Sequence, residues 1–259
     1  LAPDPLHLIR FLHTWPTEAV LSLTFLTCCL GLYGFARYFG KSGLYVYVVL
    51  ALVVGNIQVL KGVLFSFSQT PIALGTIVFS STFVASDILT ECYGKEAALK
   101  GVWLGFGAML LVTLLMLLTL GIHPLDVPPH HGDYHFLEAH RAMEVLFLPA
   151  PRLLLASLTA YLCSQCLDIT IFARLKASRR GALWARAAFS TALAFLVDNA
   201  LFSVLAWVVL SPTPVSWDSL LWTYILGTYW IRLLVGLLFL PLLSLLCRHL
   251  KGRRHAELS

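Results

Sequence analysis

Charge is what this chain has least of: only 12% of its 259 residues are Asp, Glu, Lys or Arg, where a soluble globular domain carries roughly 25%. With 59% hydrophobic residues and a mean hydropathy of +0.83, it holds too little polar surface to cover one soluble domain. The ten-residue alternation of barrel strands is absent as well. Only helices and closed barrels satisfy their backbone in lipid, so the long continuous apolar runs are expected to be helices. A Gly-x-Ser-x-Gly elbow and a His-Glu-x-x-His helix are missing and paired aspartates at one depth are not expected, which leaves an intramembrane enzyme a distant alternative, and no cofactor is expected. The first residue is Leu rather than Met, and Leu1–Thr17 lacks the basic-then-apolar order of a signal peptide, so no cleaved leader is expected.

Several local patterns have a bland reading that wins. Gly34-Phe35-Ala36-Arg37-Tyr38-Phe39-Gly40-Lys41-Ser42 resembles a phosphate cradle but has five residues between its glycines where the cradle needs four, and it ends a membrane span. The six cysteines read as small hydrophobes. Cys163 and Cys166, one turn apart on a spanning helix with no second pair, are packing residues rather than a metal or redox pair. Five of the nine histidines (His123, His130, His131, His135, His140) fall in a loop with Pro124, Pro128, Pro129, Asp126, Asp133 and Glu138; their spacing does not repeat, so a solvated loop is favoured over a metal site.

Apolar runs read against Gly, Pro and Ser punctuation give seven spans, approximately 18–38, 44–67, 71–90, 97–120, 148–172, 185–210 and 220–246, with an outer loop at 121–147 and a basic tail at 247–259. Thirteen Lys and Arg residues, from Arg37 and Lys41 to Arg253 and Arg254, fall on one side of this arrangement and three (Arg10, Arg141, Arg152) on the other. The excess of cations in cytoplasmic loops then puts the N-terminus outside and the C-terminus in the cytoplasm. The net charge of +5 is a topology signal, and no nucleic-acid partner is expected.

What remains is polar residues stranded among apolar ones. Lys61, Asp168, Asp198 and Arg232 fall inside the spans, and a charge at the bilayer centre costs at least ~2.5–3.5 kcal/mol, so such residues hold a polar ligand, an ion or one another. Tyr161, Gln165 and Asp168 follow i, i+4, i+7 spacing on the fifth span; Ser80, Asp87 and Glu91 share a face of the third. On the second, Gln58 and Lys61 align, with Asn56 turned away from Lys61 by about 140°. The seventh offers Tyr229 and Arg232. Asp198 and Arg232 also admit a structural reading as a mutually neutralising pair, and Glu91, Asp87 and Asp168 as groups near the cytoplasmic ends of their helices.

Two segments, Val54-Gly55-Asn56-Ile57-Gln58-Val59-Leu60-Lys61 and Thr82-Phe83-Val84-Ala85-Ser86-Asp87-Ile88-Leu89-Thr90-Glu91-Cys92-Tyr93-Gly94-Lys95-Glu96-Ala97, resemble the signature segments of the queuosine precursor transporter family, also called vitamin-uptake-like transporters. Tyr161–Asp168, Phe195–Phe202 and Thr228–Arg232 are similar to its later segments. The resemblance implies an all-α polytopic membrane protein of about seven helices: a six-helix core like the substrate-binding subunits of energy-coupling-factor importers, plus an N-terminal helix. It implies import of 7-deazaguanine bases, such as the cyano or aminomethyl precursors of queuosine or queuine, across a prokaryotic cytoplasmic membrane. Three positions depart from the family pattern: Arg232 where many members carry Lys, Asn199 where Thr is usual, and Phe239 near an often acidic position.

The substrate-binding candidates are Asn56, Gln58, Lys61, Asp87, Tyr161, Gln165, Asp168, Asp198, Tyr229 and Arg232, followed by Ser80, Glu91 and Asn199. A guanine-like edge presents N1–H and a 2-amino group that a carboxylate such as Asp198 or Asp168 can accept together, while O6 takes an amide or cationic donor and a Tyr ring can stack on the base. The expected partners are a planar small molecule and the lipid bilayer. A homodimer, and a separate ATP-hydrolysing module serving a vitamin-binding subunit, remain alternatives.

Overall fold

The computed structural model describes residues 5–63, 72–125, 136–147, 151–179 and 181–258. Its architecture is a bundle of long helices. In chain order these are α1 (Pro5–His13), α2 (Thr17–Gln58), α3 (Thr76–Tyr93), α4 (Lys95–Leu120), α5 (Phe136–Phe147), α6 (Pro151–Ala177), α7 (Leu183–Val204), the short α8 (Trp217–Ser219), α9 (Thr228–Leu238) and α10 (Leu240–Leu258). Leu205–Val209 continues α7 as a π-helical turn, and Leu220–Gly227 joins α8 to α9 in the same way. Among the described residues, five helical stretches are long and apolar enough to cross a membrane by length and composition: Thr17–Gln58, Lys95–Leu120, Leu153–Ala177, Leu183–Val209 and Trp217–Gly252.

The 42 residues of α2 form a hairpin, because Gly40 leaves the helical region with φ 57° and ψ −129°. In a straight helix Cys28 and Tyr47 would lie about 28 Å apart, yet the Tyr47 hydroxyl is 3.3 Å from the Cys28 carbonyl oxygen. Gly43 allows the two arms, residues 17–39 and 41–58, to touch: a Cβ there would come within 2.0 Å of the Phe35 carbonyl oxygen. The turn lies beside Tyr93 at the end of α3.

Burial separates the helices by role. Six of the 26 residues of α4 are buried and most of its leucines are exposed, as on a helix facing lipid. Fifteen of the 18 residues of α3 are buried, including Ser80, Ser81, Thr82, Ser86, Asp87, Thr90 and Glu91. A helix carrying this many polar residues is therefore a central one, packed by α2, α4, α6, α9 and α10. The last helix bends at Phe239, two residues before Pro241, whose missing N–H breaks the intrahelical ladder.

The second expected span, 44–67, ends early. Its helix stops at Gln58, and Gly62–Val63 pairs antiparallel with Ile72–Ala73 while Leu74 N–H donates to the Lys61 carbonyl at 2.9 Å. The apolar run continues past Gln58, but its backbone bonds go to this small ladder instead of a further helical turn. Gln58 and Lys61 consequently do not share a helix face, and Lys61 is exposed at the end of the bundle rather than held among the spans. His130, His131, His135 and the Gln69-Thr70-Pro71 break lie outside the described residues.

Candidate functional site

A cavity of about 530 Å³ opens at one end of the bundle. Its walls come from the end of the second arm of α2, the start of α3, the ends of α4 and α5, the start of α6, the end of α7 with its π turn, and the Leu220–Leu238 stretch. All of these termini lie opposite the end that carries Glu91, Lys95, Lys176, Arg186 and Lys251, so the cavity points away from the basic end of the molecule. Gly55 and Gly75 seat the α2 and α3 walls closely, since a Cβ on Gly75 would meet the Gly55 carbonyl oxygen at 2.7 Å.

One wall of the cavity is polar. Asp198 and Asn199, adjacent on α7, both bond Arg232 of α9: Arg232 Nη1 lies 2.5 Å from Asp198 Oδ2 and 2.5 Å from Asn199 Oδ1. Ser164 of α6 donates to the other Asp198 oxygen at 2.8 Å. Asn199 Nδ2 donates to Thr228 Oγ1 at 3.0 Å and the Ile225 carbonyl at 3.2 Å, tying the α7 wall to the π turn. The guanidinium rests over the Phe195 ring, 5.1 Å from its centroid. Arg232 Nε and the Tyr161 hydroxyl, both at the cavity, are buried without a hydrogen-bond partner among the described residues. Each carboxylate oxygen has room for a second bond, so the wall is a donor and acceptor array with capacity left for a solute.

The fold gathers Asn56, Tyr161, Asp198, Asn199 and Arg232 around this cavity. Asn56 accepts from Ser157 at 3.1 Å and donates to the Leu52 carbonyl at 2.9 Å. The other sequence candidates stand elsewhere. Lys61 and Gln58 are outside the lining. Gln165 is fully buried below the cavity floor, where it accepts from Ser86 at 2.8 Å and donates to Thr82 at 2.9 Å, clamping α6 to α3. Asp87 and Asp168 lie deeper still, near Thr191. Tyr229 turns its hydroxyl to the Ala192 carbonyl at 3.3 Å and packs against the Phe83–Phe195 cluster. Ser80 is buried away from the lining. Glu91 sits at the basic end, paired with Arg186 at 3.0 Å, Lys176 at 3.7 Å and Lys251.

Sequence reasoning missed the aromatic walls. Trp207 and Tyr224 meet with ring centroids 5.3 Å apart and planes at 37°, each on a π-helical turn, and Phe79, Phe83 and Phe202 line the cavity with them. Near the ends of apolar spans such residues read as an interfacial belt, and the π turns that aim them inward have no signature in a single sequence. π turns recur at functional sites in helices. Ser157 and Ser164 were missed too; Ser164 adjoins Gln165, and only packing shows that it reaches Asp198.

Residues 73–246 match the family model described as "Putative vitamin uptake transporter". The chain is 36% identical over 212 residues, 80% of its own length and 84% of the relative's, to the Bacillus subtilis (strain 168) protein named "Probable queuosine precursor transporter". No solved structure matches. The matched region spans α3 to α10 and so nearly the whole cavity wall, and the chain belongs to this vitamin-uptake family of multi-pass membrane transporters.

Proposed function

We propose that this protein imports queuosine precursors, 7-deazaguanine bases in their cyano or aminomethyl form or as queuine, into the cytoplasm of a prokaryotic cell. The observation that carries the reading is the Asp198–Asn199–Arg232 array on one wall of a roughly 530 Å³ cavity whose other walls are aromatic and aliphatic. A flat, polar-edged heterocycle uses both kinds of wall. Asp198 accepts N1–H and the 2-amino group, Arg232 or Asn56 donates to O6, and Trp207, Tyr224 or Phe202 takes the ring face. The name of the Bacillus subtilis relative supports this substrate class.

Direction follows from charge. The excess of Lys and Arg at the end opposite the cavity favours that end as cytoplasmic, so the cavity faces outward. The Glu91 ion pairs then close the inner side. Transport requires the mouth to close over the base and the Glu91 cluster to part, an exchange of one closed end for the other about a central site. The Asp198–Arg232 pairing keeps both charges satisfied, and the base binds by taking over part of that pairing.

Thermal shift of the purified protein against 7-cyano-7-deazaguanine, its aminomethyl analogue, queuine, guanine, riboflavin and biotin tests the substrate class. Stabilisation by the deazaguanines is expected. Stabilisation by riboflavin or biotin alone would move the protein to vitamin uptake, and unchanged binding and uptake in Asp198→Asn would sink the carboxylate-edge model.

A further inference from the structure

Beneath the cavity floor lies a second polar group that the substrate wall does not use. Asp87 of α3 and Asp168 of α6 are 2% and 0% exposed, and Asp87 Oδ1 and Asp168 Oδ2 have no hydrogen-bond partner among the described residues. Thr191 of α7 lies between them: its hydroxyl is 3.4 Å from Asp168 Oδ1, and with Asp87 it lines a separate void of about 10 Å³ whose other walls are apolar side chains of α3, α7, α9 and α10. Neither carboxyl forms an ion pair among the described residues. The cation facing Asp87 is Arg186, already bonded to Glu91 at 3.0 Å, while Lys176 and Lys251 are also committed to Glu91.

Two carboxylates enclosed in this way, without a cation of their own, repel each other and lose hydration that the hydroxyls of Thr191 and Ser190 replace only in part. They require a positive charge. A sodium site in a transporter draws on carbonyls freed where a helix unwinds, and α3, α6 and α7 are continuous through Asp87, Asp168 and Thr191. The void has room for about one water-sized particle. We propose that Asp87 and Asp168 share a transported proton, and that this pair couples base import to the inward proton gradient.

The coupling has a short physical route. Asp168 is one turn beyond Ser164, which bonds Asp198 in the cavity, and Thr191 is two turns before Asp198 on α7. A shift of α6 against α7 that accompanies base binding moves the acid pair as well. Toward the basic end, Asp87 is one turn from Glu91, so parting of the Glu91 cluster opens a path for the proton to cytoplasmic water. The proton enters on a carboxyl oxygen from the outer side and leaves from it on the inner side.

The inference rests on the transport reading, and its tests separate the two. In the full chain reconstituted into lipid, infrared spectroscopy at neutral pH should show the C=O stretch of a protonated carboxyl, diminished in both Asp87→Asn and Asp168→Asn; this needs no substrate. In proteoliposomes an inward proton gradient should drive accumulation of labelled 7-cyano-7-deazaguanine by the natural chain. In either variant accumulation should fall to the equilibrium ratio while exchange of labelled for unlabelled base continues, which also shows that the variant is folded. Absence of the carboxyl band, undiminished accumulation in the variants, or accumulation that follows a sodium gradient instead would each overturn the proposal. A carboxyl band without transport of any base by the natural chain would leave the proton site standing and remove the substrate reading.

Discussion

Arg232 and Asp198 are 34 residues apart in sequence and meet at 2.5 Å on the cavity wall, each about one-seventh exposed. Losing one partner of such a pair typically costs about 2–5 kcal/mol, much of it from the charge left behind. Asp198→Asn and Arg232→Gln are each expected to lower thermal stability, and the double substitution should recover most of the loss because no lone charge remains. Recovery of stability without recovery of binding identifies a ligand role. On that expectation Asp198→Asn weakens base binding on the order of 100-fold, about 2.8 kcal/mol, by equilibrium titration, and a double variant that binds normally would assign the pair to structure alone.

Trp207 and Tyr224 make the aromatic wall. Stacking a base on such a ring is worth about 1–3 kcal/mol, so Trp207→Ala should weaken binding by roughly one order of magnitude with little change for an aliphatic solute of similar polarity. Equal loss for planar and non-planar solutes would show that the ring only shapes the cavity.

Gly43 and Gly34 lie on the two arms of the α2 hairpin yet face different surroundings. A methyl on Gly43 runs into backbone at 2.0 Å, whereas Gly34 has nothing within 4 Å. Gly43→Ala is expected to destabilise by about 3 kcal/mol or more, and Gly34→Ala to be neutral or stabilising by up to about 1 kcal/mol. Unfolding of the purified protein in detergent measures both. Similar midpoints for the two variants would contradict the close contact between the arms.

Glu91 binds Lys176, Arg186 and Lys251 from three helices and so fastens α6, α7 and α10 to α3. Glu91→Gln removes the shared anion and leaves three cations facing one another. Cys92 and Cys247, buried beside this cluster, should then react faster with a permeant maleimide in a chain whose other four cysteines are Ala. An unchanged labelling rate would mean that the ion pairs do not hold this end closed.

Much of the helical architecture is legible in the sequence because the bilayer sets a length and an apolarity that few other environments demand. The Asp198 and Arg232 pairing was within reach of residue counting, since both fall mid-span. Lys61 was not: the apolar residues after Gln58 continue a helical pattern, and only the Gly62–Val63 ladder with Ile72–Ala73 takes the backbone out of the helix. The stripe of Tyr161, Gln165 and Asp168 does share one side of α6, but it runs down the bundle, so its members meet three different neighbourhoods: the cavity, the clamp on Ser86 and Thr82, and the acid pair.

By itself the sequence determined that the chain folds as apolar helices long enough to span lipid and which side chains cannot be left facing hydrocarbon, because hydration free energies depend on residue type and run length. Only the tertiary structure decided which of those side chains belong together. Asp168 and Asp198 are both acids on apolar helices, yet one meets Thr191 in a closed interior and the other meets Arg232 at an open cavity. That difference depends on depth, helix rotation and two π turns, which arise from packing between helices rather than from any one helix alone.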